Sequence, residues 1–448
     1  MLTHAGIKND RDNANAGMNA EKDGRSWKTY LWGVLGLTVL LRVSLLLLIL
    51  HSTGIKGIFS SDTPGYVAPI QGLMHGSFST ENGPEILRTP GYPIFLMLTG
   101  MADNHPLLSI SCQIMLACFS VFLVYQLGML LFLNVQAATL CAVLYAIEPT
   151  SVFYSIQLLT ETLFTTILLV FIYQLLSYIL RPSWGSLIWA ALALSATVYV
   201  RPASYYLPLF CAVGLTVLPL KLRFAYKVCR ATAFLAICTV LIGLWQVRNY
   251  AETGYGGFSS LAEHDLYYGQ AVGILANKEH TDYAAKVIKL ERQQGQEVWA
   301  DAHNVALIMQ EKHDALRIIK QNPVLFVKLQ LRGMVAVVLD PSSTHILKRL
   351  GLYPSIGYLN AMTVNKGIPA TLWWVLRNKP LIFIVTIALG GILGIYYVLA
   401  VIDLPQFFMK KDVLVTLALI FLYSIHRTAS HDARLTKSYD ADIHGSLL

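Results

Sequence analysis

Hydrophobic residues occur along this chain in long, nearly uncharged runs rather than in short alternating segments. A helix that crosses the hydrocarbon core of a bilayer, which is about 30 Å thick, needs about 20 consecutive apolar residues. Several runs approach or exceed that length: Leu31–Leu50, Leu107–Leu133, Ile156–Leu180, Ala231–Val247 and Leu381–Ile402. The pattern therefore predicts an all-α fold, a polytopic bundle of transmembrane helices.

Shorter apolar stretches between these runs add further predicted spans. Before residue 249 the expected spans are Thr29–His51, Leu107–Leu133, Ala137–Ala146 with its flanks, Tyr154–Leu180, Trp184–Val200, Ala203–Leu220 and Ala231–Val247. Two more follow at Leu381–Ile402 and Val413–Ile425. Prolines interrupt Pro323–Trp374, which is predicted either as interfacial helices or as one further pair of spans. The total is about nine spans, or about eleven with the extra pair.

Two clusters of basic residues predict how the bundle is oriented. Lys8, Arg11, Lys22, Arg25 and Lys28 precede the first span, and Lys221, Arg223, Lys227 and Arg230 lie between the sixth and the seventh. Cytoplasmic loops carry an excess of lysine and arginine, so both clusters are expected in the cytoplasm, and the number of intervening spans agrees with this. The first span is too long for a signal-peptide core and is expected to remain as an anchor.

Composition narrows the class of protein further. Of the 448 residues, 55% are hydrophobic and only 13% charged, with a mean hydropathy of +0.53. The formal charge of +8 resides where membrane topology places basic residues, so it gives little support to nucleic-acid binding. The six cysteines lie within or beside apolar stretches without metal-ligand spacing and are expected to pack as small hydrophobic residues.

The polar segments divide the chain into five predicted regions. Residues 1–28 form a cytoplasmic N-terminal segment, and 29–248 form a transmembrane core whose first outer loop, 52–106, carries short helices at the outer face. Residues 249–322 form a small non-cytoplasmic helical insert, with helical periodicity at Ala302–Lys320. Interfacial helices and the last spans occupy 323–428, and a polar tail occupies 429–448.

The first outer loop contains an acid and an arginine close to the predicted membrane surface. Asp62 precedes Thr63 and Pro64, a pattern typical of a helix start, so Asp62 is expected to act as an N-cap, as a functional carboxylate, or as both. Arg88 follows in the same loop, within the segment Arg88-Thr89-Pro90-Gly91-Tyr92-Pro93.

Two charges lie inside predicted spans. Glu161 is expected about 10 Å below the outer end of the fourth span, and Arg42 about 13 Å below the outer end of the first, at 1.5 Å per residue. Charged residues at such depths are costly and usually paired. We therefore expect Arg42 and Glu161 to contact each other, either to hold helix order or to serve function.

Two further arginines end predicted spans on the outer side. Arg201 joins the fifth and sixth spans, and Arg248 closes the seventh beside Trp245. Each by itself is typical of an interfacial anchor. Together with Arg88 they place three guanidinium groups at one surface, a set that suits the phosphate of a lipid.

These segments resemble the GT-C superfamily, the integral-membrane glycosyltransferases that use polyprenyl-phosphate-linked sugars, including protein O-mannosyltransferases and lipid A aminoarabinose transferases. The resemblance covers about the first 260 residues. It rests on Asp62-x-x-x-Tyr66, Arg88-x-Pro-Gly-Tyr92-Pro, Thr160-Glu161, Arg201-Pro202 and Trp245-x-x-Arg248-Asn249-x-x-x-x-Gly254.

The resemblance implies transfer of a sugar from a polyprenyl phosphate to a protein, lipid A or glycan acceptor at the outer face of a bacterial inner membrane. It implies that Asp62 is the catalytic base and that Glu161 positions the acceptor or balances charge. Arg88, Arg201 and Arg248 would stabilise the departing phosphate. Substrate contacts are expected from Tyr66, Tyr92, Asn249 and Arg42. Some members use a divalent metal, but no clustered ligand set in this sequence argues for one, and no cofactor is expected.

Two other functions remain open. A transporter or a flippase for lipid-linked sugars would also place charges in a bundle, but the internal repeats and broken helices common in transporters are not expected from this sequence. The second is a non-catalytic scaffold. The C-terminal part departs from the resemblance, because a further span is expected where this sequence has its polar tail.

Overall fold

The computed structural model describes residues 4–218, 222–279, 281, 283–294, 304–339, 343–352 and 369–408. The predicted span Val413–Ile425 and the polar tail 429–448 lie outside these residues. The all-α prediction is confirmed, since the described chain is almost entirely helical. One two-stranded antiparallel hairpin interrupts the helices, pairing Ser79 with Pro84 and Thr80 with Gly83.

The helices follow one another closely along the chain. The first part contains α1 (His4–Thr53), a 3-10 turn (Gly54–Ile58), α2 (Thr63–Val67), α3 (Ile70–Met74), β1 (Ser79–Thr80), β2 (Gly83–Pro84), α4 (Gly91–Leu98) and a 3-10 turn (Met101–Asp103). The bundle then continues with α5 (Pro106–Phe132), α6 (Val135–Ile147), α7 (Pro149–Tyr154), α8 (Glu161–Leu180), α9 (Trp184–Val200), a 3-10 turn (Pro202–Ser204), α10 (Leu207–Val217) and α11 (Phe224–Thr253).

The remaining helices form the insert and the C-terminal part. They are α12 (Leu261–His264), a π-helical turn (Asp265–Ala271), α13 (Val272–Lys278), α14 (Tyr283–Gln294), α15 (Val305–Gln321), α16 (Pro323–Leu339), α17 (Ser343–Arg349), α18 (Pro369–Asn378) and α19 (Pro380–Phe408). The helix predicted at Ala302–Lys320 corresponds to α15. Asn304 is its N-cap residue, and the Asn304 side chain accepts a hydrogen bond from the Leu307 N–H.

Four described helices are long and apolar enough to cross a membrane: Lys28–Ile58, Pro106–Phe132, Glu161–Leu180 and Phe224–Thr253. A fifth arises if α18 and the first part of α19, which meet at 115°, form one broken span. Three shorter apolar helices, Val135–Ile147, Trp184–Val200 and Pro202–Val217, occupy the places of the third, fifth and sixth predicted spans. The protein is therefore an integral membrane protein.

The predicted fourth span, Tyr154–Leu180, is wrong as one continuous helix. Helix α7 ends at Tyr154 and α8 begins at Glu161, with a non-helical segment between them. Side chains from elsewhere satisfy the carbonyls of this segment: Gln113 Nε2 donates to Gln157 O at 2.7 Å, and Thr63 Oγ1 donates to Leu158 O at 2.9 Å. Hydropathy along the chain does not reveal these distant donors.

Side-chain caps decide where several helices begin. The Asn134 side chain accepts from the N–H groups of Gln136 and Ala137 at the start of α6, at 2.8 and 3.0 Å. The Glu148 carboxylate does the same for Thr150 and Ser151 at the start of α7. Such caps satisfy N–H groups that the first helical turn leaves without partners, which matters most where water is scarce.

The helices pack around several clusters of apolar side chains, of which two are the largest. One core joins α8, α9, α10 and α11, and another joins the end of α1 with α4 and α5. Helices α5 and α6 approach so closely that a Cβ on Gly128 would lie 2.8 Å from Ala138 Cα. Large apolar side chains on the opposite faces of α1 and α11, such as Leu40 and Val240, are exposed, as expected for surfaces in contact with lipid.

Candidate functional site

One end of the bundle gathers most of the predicted site residues, and we call it the site end. Helices α1, α9 and α11 finish there, and α8 begins there. Backbone and side-chain hydrogen bonds join these termini: Leu158 N donates to Ile58 O at 2.9 Å, and Thr89 Oγ1 donates to Val200 O at 3.1 Å. The segments that carry the chemistry are thus held against one another.

The first ion pair of the site joins Arg88 to Asp62. Arg88 Nη2 lies 3.1 Å from Asp62 Oδ1, and the arginine side chain is 9% exposed whereas that of the aspartate is 39% exposed. Arg88 also lies over the Tyr66 ring, 4.7 Å from its centroid, and donates to the Tyr66 hydroxyl at 3.3 Å. The arginine is therefore anchored inside the protein, while the carboxylate reaches the surface.

The helix start predicted at Asp62 is present, but its capping hydrogen bond is not. Asp62 occupies the N-cap position of α2, with Pro64 in the first turn, yet its side chain makes no cap hydrogen bond. The carboxylate turns to Arg88 instead. A glycine follows at position 65, where a Cβ would lie 3.0 Å from Arg88 Nε, so Gly65 leaves room for the guanidinium.

Glu85, which was not among the predicted site residues, holds the backbone on which Arg88 stands. Its Oε1 accepts from the N–H groups of Leu87 and Arg88 at 2.6 and 2.8 Å. Ser259 Oγ donates to Leu87 O at 2.6 Å and closes the other side of the turn. No local signal in the sequence distinguishes Glu85 from a solvated loop residue, because its partners are backbone groups of a folded turn.

The second ion pair joins Arg201 to Glu161. Arg201 Nη1 lies 3.2 Å from Glu161 Oε1, and the two side chains are 22% and 23% exposed. Glu161 is the first residue of α8, and Arg201 is the C-cap of α9. A negative charge at a helix N-terminus and a positive charge at a C-terminus are each favourable, so the helix ends reinforce the pair.

The predicted contact between Arg42 and Glu161 is therefore wrong. Because α8 begins at Glu161, this carboxylate lies at the first turn of a helix and not seven residues inside one. Its partner is Arg201, on the neighbouring helix end. The depth estimate rested on an unbroken fourth span.

The two ion pairs form one cluster around Tyr66. Burial raises the pKa of the Tyr66 hydroxyl; Arg88 and Arg201 lower it, while Asp62 and Glu161 raise it further. Burial lowers the pKa of the Arg201 guanidinium, but Glu161 and Tyr66 outweigh this effect, so the pKa lies above its ordinary value. Burial likewise lowers the pKa of the Arg88 guanidinium, but Tyr66 and Asp62 outweigh this effect, so this pKa also lies above its ordinary value. Both arginines therefore stay charged at any physiological pH.

Tyr92 lies beneath this cluster and links it to the interruption before α8. Its hydroxyl donates to Gln113 Oε1 at 2.7 Å, and Gln113 in turn donates to Gln157 O. Gln157 Nε2 donates to Gly57 O at 3.0 Å, which ties the same segment to the turn after α1. Burial and then Glu161 raise the pKa of Tyr92 well above its ordinary value, so the hydroxyl remains a donor.

Arg42 lies away from this cluster, at the junction of α6 and α7. The guanidinium is fully buried, and it donates to Ala146 O at 3.1 Å and to Ser151 Oγ at 3.0 Å. Glu148 is the carboxylate whose charge acts on it. Glu148 followed by Pro149 is a recognisable helix start, so this acid carried a sequence signal, although it was not predicted. The substrate-binding role of Arg42 stays a prediction.

Arg248 and Asn249 bind loop backbone. Arg248 donates to Glu85 O at 2.8 Å and to Phe78 O, and its guanidinium lies 5.1 Å from the centroid of the Trp245 ring. Asn249 Nδ2 donates to the carbonyls of Gly257 and Phe258 at 3.0 and 3.1 Å. These contacts join α11 to the first loop and to the start of the insert. The predicted roles in binding phosphate and substrate stay predictions.

The described residues contain no group of three or more histidine, cysteine or acidic side chains placed to hold a metal ion. The site end has two partly exposed carboxylates. Asp62 is paired with an arginine that is more buried than itself, and Glu161 is paired with an arginine of about equal exposure.

Comparison of the sequence with protein-family models finds no match, and comparison with curated proteins finds none either.

Proposed function

We propose that this protein is a membrane glycosyltransferase that moves a sugar from a polyprenyl-phosphate donor to an acceptor at the non-cytoplasmic face of a bacterial inner membrane. The observation that carries the proposal is the meeting of Asp62–Arg88 and Glu161–Arg201 at one end of the bundle. The sequence segments that bring the four residues there are those that resemble the GT-C superfamily.

The placement of charge supports the choice of face. The described basic residues Arg223, Lys227 and Arg230 lie near the start of α11, and Arg248 lies near its end. Basic clusters of this kind are retained in the cytoplasm, which would put the site end outside. A lipid-borne donor would reach the site from the bilayer, and the acceptor from the aqueous side.

In the proposed reaction the acceptor hydroxyl or amine attacks the sugar carbon that is bonded to the donor phosphate. A new bond from the acceptor to the sugar forms, the carbon–oxygen bond to phosphate breaks, and its electron pair leaves with polyprenyl phosphate. Asp62 would take the acceptor proton because its carboxylate is the more exposed of the two. Arg88 and Arg201 would stabilise the leaving phosphate, and Glu161 would hold Arg201 and orient the acceptor.

Purified protein in proteoliposomes, supplied with labelled polyprenyl-phosphate sugars of several kinds and with protein, lipid A or glycan acceptors, tests the proposal. We expect one donor to be consumed with release of polyprenyl phosphate, and we expect Asp62→Asn to abolish this while abundance and membrane insertion are kept. Asp103→Asn is the matched control, because Asp103 is exposed in the same loop region and makes no contact with either ion pair. Near-normal turnover by Asp62→Asn would remove Asp62 from the mechanism.

A transporter or flippase for lipid-linked sugars is the second candidate, and the interruption between α7 and α8 favours it, since transporters often bind ions at broken helices. Against it, side chains already occupy carbonyls of the interruption: Ser155 O and Gln157 O accept from Gln113, and Leu158 O accepts from Thr63. Movement of intact donor across the proteoliposome membrane without cleavage would decide for the transporter.

A further inference from the structure

Three arginines lie at the end of the bundle opposite the site end. Helix α8 finishes there and both α9 and α11 begin there, roughly 30 Å from the ion pairs at 1.5 Å per residue along α8. Arg181 caps the end of α8, and Arg223 caps the start of α11. Arg230 lies two turns along α11.

Arg230 is held by two aromatic rings from the neighbouring helices. Its guanidinium carbon lies 5.2 Å from the centroid of the Trp184 ring on α9 and 5.7 Å from that of Tyr178 on α8. The nitrogen Nη1 is buried with no hydrogen-bond partner among the described residues. A guanidinium that packs against aromatic rings still has N–H donors for an anion. Because the rings already restrict the arginine side chain, less conformational entropy is lost when the anion binds.

The segment that carries these arginines contributes no acid that would compete for them. Residues 162 to 251, which include α8 to α11 almost entirely, contain neither aspartate nor glutamate. Arg223, Lys227 and Arg230 are spaced by four and three residues, so they share one face of α11. The Lys227 ammonium group is bound within the protein, since Nζ donates to Leu218 O at 2.6 Å. Of the three basic residues on this face, Arg223 and Arg230 are therefore the ones considered for binding an anion.

Exposed aromatic side chains mark this end as a membrane interface. Trp184 and Trp189 on α9 are 47% and 61% exposed, and Phe224 and Tyr226 at the start of α11 are exposed as well. Tryptophan and tyrosine are enriched at the depth of the lipid headgroups. The headgroup phosphates of a surrounding bilayer would lie at the same depth as these rings.

We propose that Arg181, Arg223 and Arg230, with the Trp184 ring, bind the phosphate of an anionic membrane phospholipid at the end of the bundle opposite the site end. The chemistry that selects it is a negative phosphodiester without a compensating ammonium group, as in phosphatidylglycerol. A phosphatidylcholine headgroup offers the same phosphate but brings a positive charge toward the arginines. This inference is independent of the proposed sugar transfer.

The test uses the full-length protein purified in detergent and mixed with phosphatidylglycerol or phosphatidylcholine. Native mass spectrometry counts the lipid retained, and thermal unfolding reports the shift in midpoint. We expect more phosphatidylglycerol to be retained than phosphatidylcholine, and Arg230→Gln to weaken that retention about fivefold. Lys56→Gln, an exposed basic residue near the site end, is the matched control and should leave it unchanged.

Trp184 and Trp189 supply a second comparison that does not alter charge. Trp184→Leu should weaken retention of phosphatidylglycerol, whereas Trp189→Leu, an exposed tryptophan on the same helix, should not. This comparison decides the matter if Arg230→Gln fails to fold. The proposal is overturned if both Arg230→Gln and Trp184→Leu retain phosphatidylglycerol as well as the unaltered protein does. If Arg230→Gln does not fold, unchanged retention in Trp184→Leu is enough to overturn it. An equal midpoint shift with inorganic phosphate would overturn the lipid as its source.

Discussion

Arg201 and Glu161 are forty residues apart in sequence, yet Nη1 of the arginine lies 3.2 Å from Oε1 of the glutamate. One ends α9 and the other begins α8, and these two helices pack side by side along their length. Each charge lies at the helix end that favours its sign, so the antiparallel arrangement of the two helices and the ion pair support each other.

A double-mutant cycle measures this pair. We expect Glu161→Gln and Arg201→Gln each to lower the free energy of unfolding, and the double substitution to cost less than their sum by roughly 1–2 kcal/mol, because the second change removes a charge already left without its partner. Chemical or thermal unfolding in detergent gives the values. Pairing Asp103→Asn with Arg201→Gln is the control and should show additive effects; additivity in the Glu161–Arg201 cycle itself would contradict the ion pair.

Exchanging the two charges should restore only part of the lost stability. In the double variant Glu161→Arg with Arg201→Glu, the ion pair can form again, but each charge then opposes its helix end. Each such opposition costs roughly 0.3–1 kcal/mol. The same unfolding measurement checks this, and full recovery would show that the helix ends contribute nothing.

Arg42 should be coupled to Glu148 and not to Glu161. Arg42→Met leaves Ala146 O and Ser151 Oγ without the donors that lie 3.1 and 3.0 Å away, at a cost of roughly 1–3 kcal/mol, and it removes the positive charge that the charge of Glu148 favours. Adding Glu148→Gln should recover part of this loss, whereas adding Glu161→Gln should recover none. Recovery with Glu161→Gln would restore the pairing expected from sequence.

Two fully buried tyrosines give a matched test of the hydrogen bond beneath the site. Tyr92→Phe leaves Gln113 Oε1 without the hydroxyl that lies 2.7 Å away, so we expect a loss of roughly 1–3 kcal/mol in the free energy of unfolding. Tyr178→Phe removes a buried hydroxyl that has no hydrogen-bond partner among the described residues and should be neutral or stabilising. Equal losses in the two variants would mean that the Tyr92 bond contributes nothing.

Gly91 permits a close backbone approach between the start of α4 and the end of α9. A Cβ at this position would lie 2.7 Å from Tyr199 O and 2.9 Å from Val200 N, which are backbone atoms that cannot rotate away. Gly91→Ala should therefore lower the free energy of unfolding by about 1–3 kcal/mol and reduce the proposed sugar transfer. Gly214→Ala is the control, because a Cβ at this position in α10 would meet no described atom within 4 Å, and it should be neutral or slightly stabilising. Unfolding and donor consumption are measured on both.

The sequence predicted many of the residues at the site end, but it did not predict which of them contact one another. Asp62, Arg88 and Arg201 were predicted to lie at one face, with Glu161 about 10 Å beneath it, and all four lie at one end of the bundle. The one predicted ion pair, Arg42 with Glu161, is wrong, because Glu161 pairs with Arg201. Glu85, Gln113 and Gln157 were missed. Gln113 and Gln157 donate to the backbone of distant segments, and Glu85 accepts from the N–H groups of its own turn; no periodic pattern records either kind of contact.

The sequence by itself determined that this protein is helical and resides in a membrane. Runs of apolar residues are a local property, and in a bilayer each helix satisfies its own backbone, so the presence of membrane-spanning helices follows from the chain alone. Only the tertiary structure decided where the helix before Glu161 breaks and which arginine meets which carboxylate. Those outcomes depend on donors such as Gln113 and Thr63, which lie far away in the chain and reach the segment only when the bundle has packed.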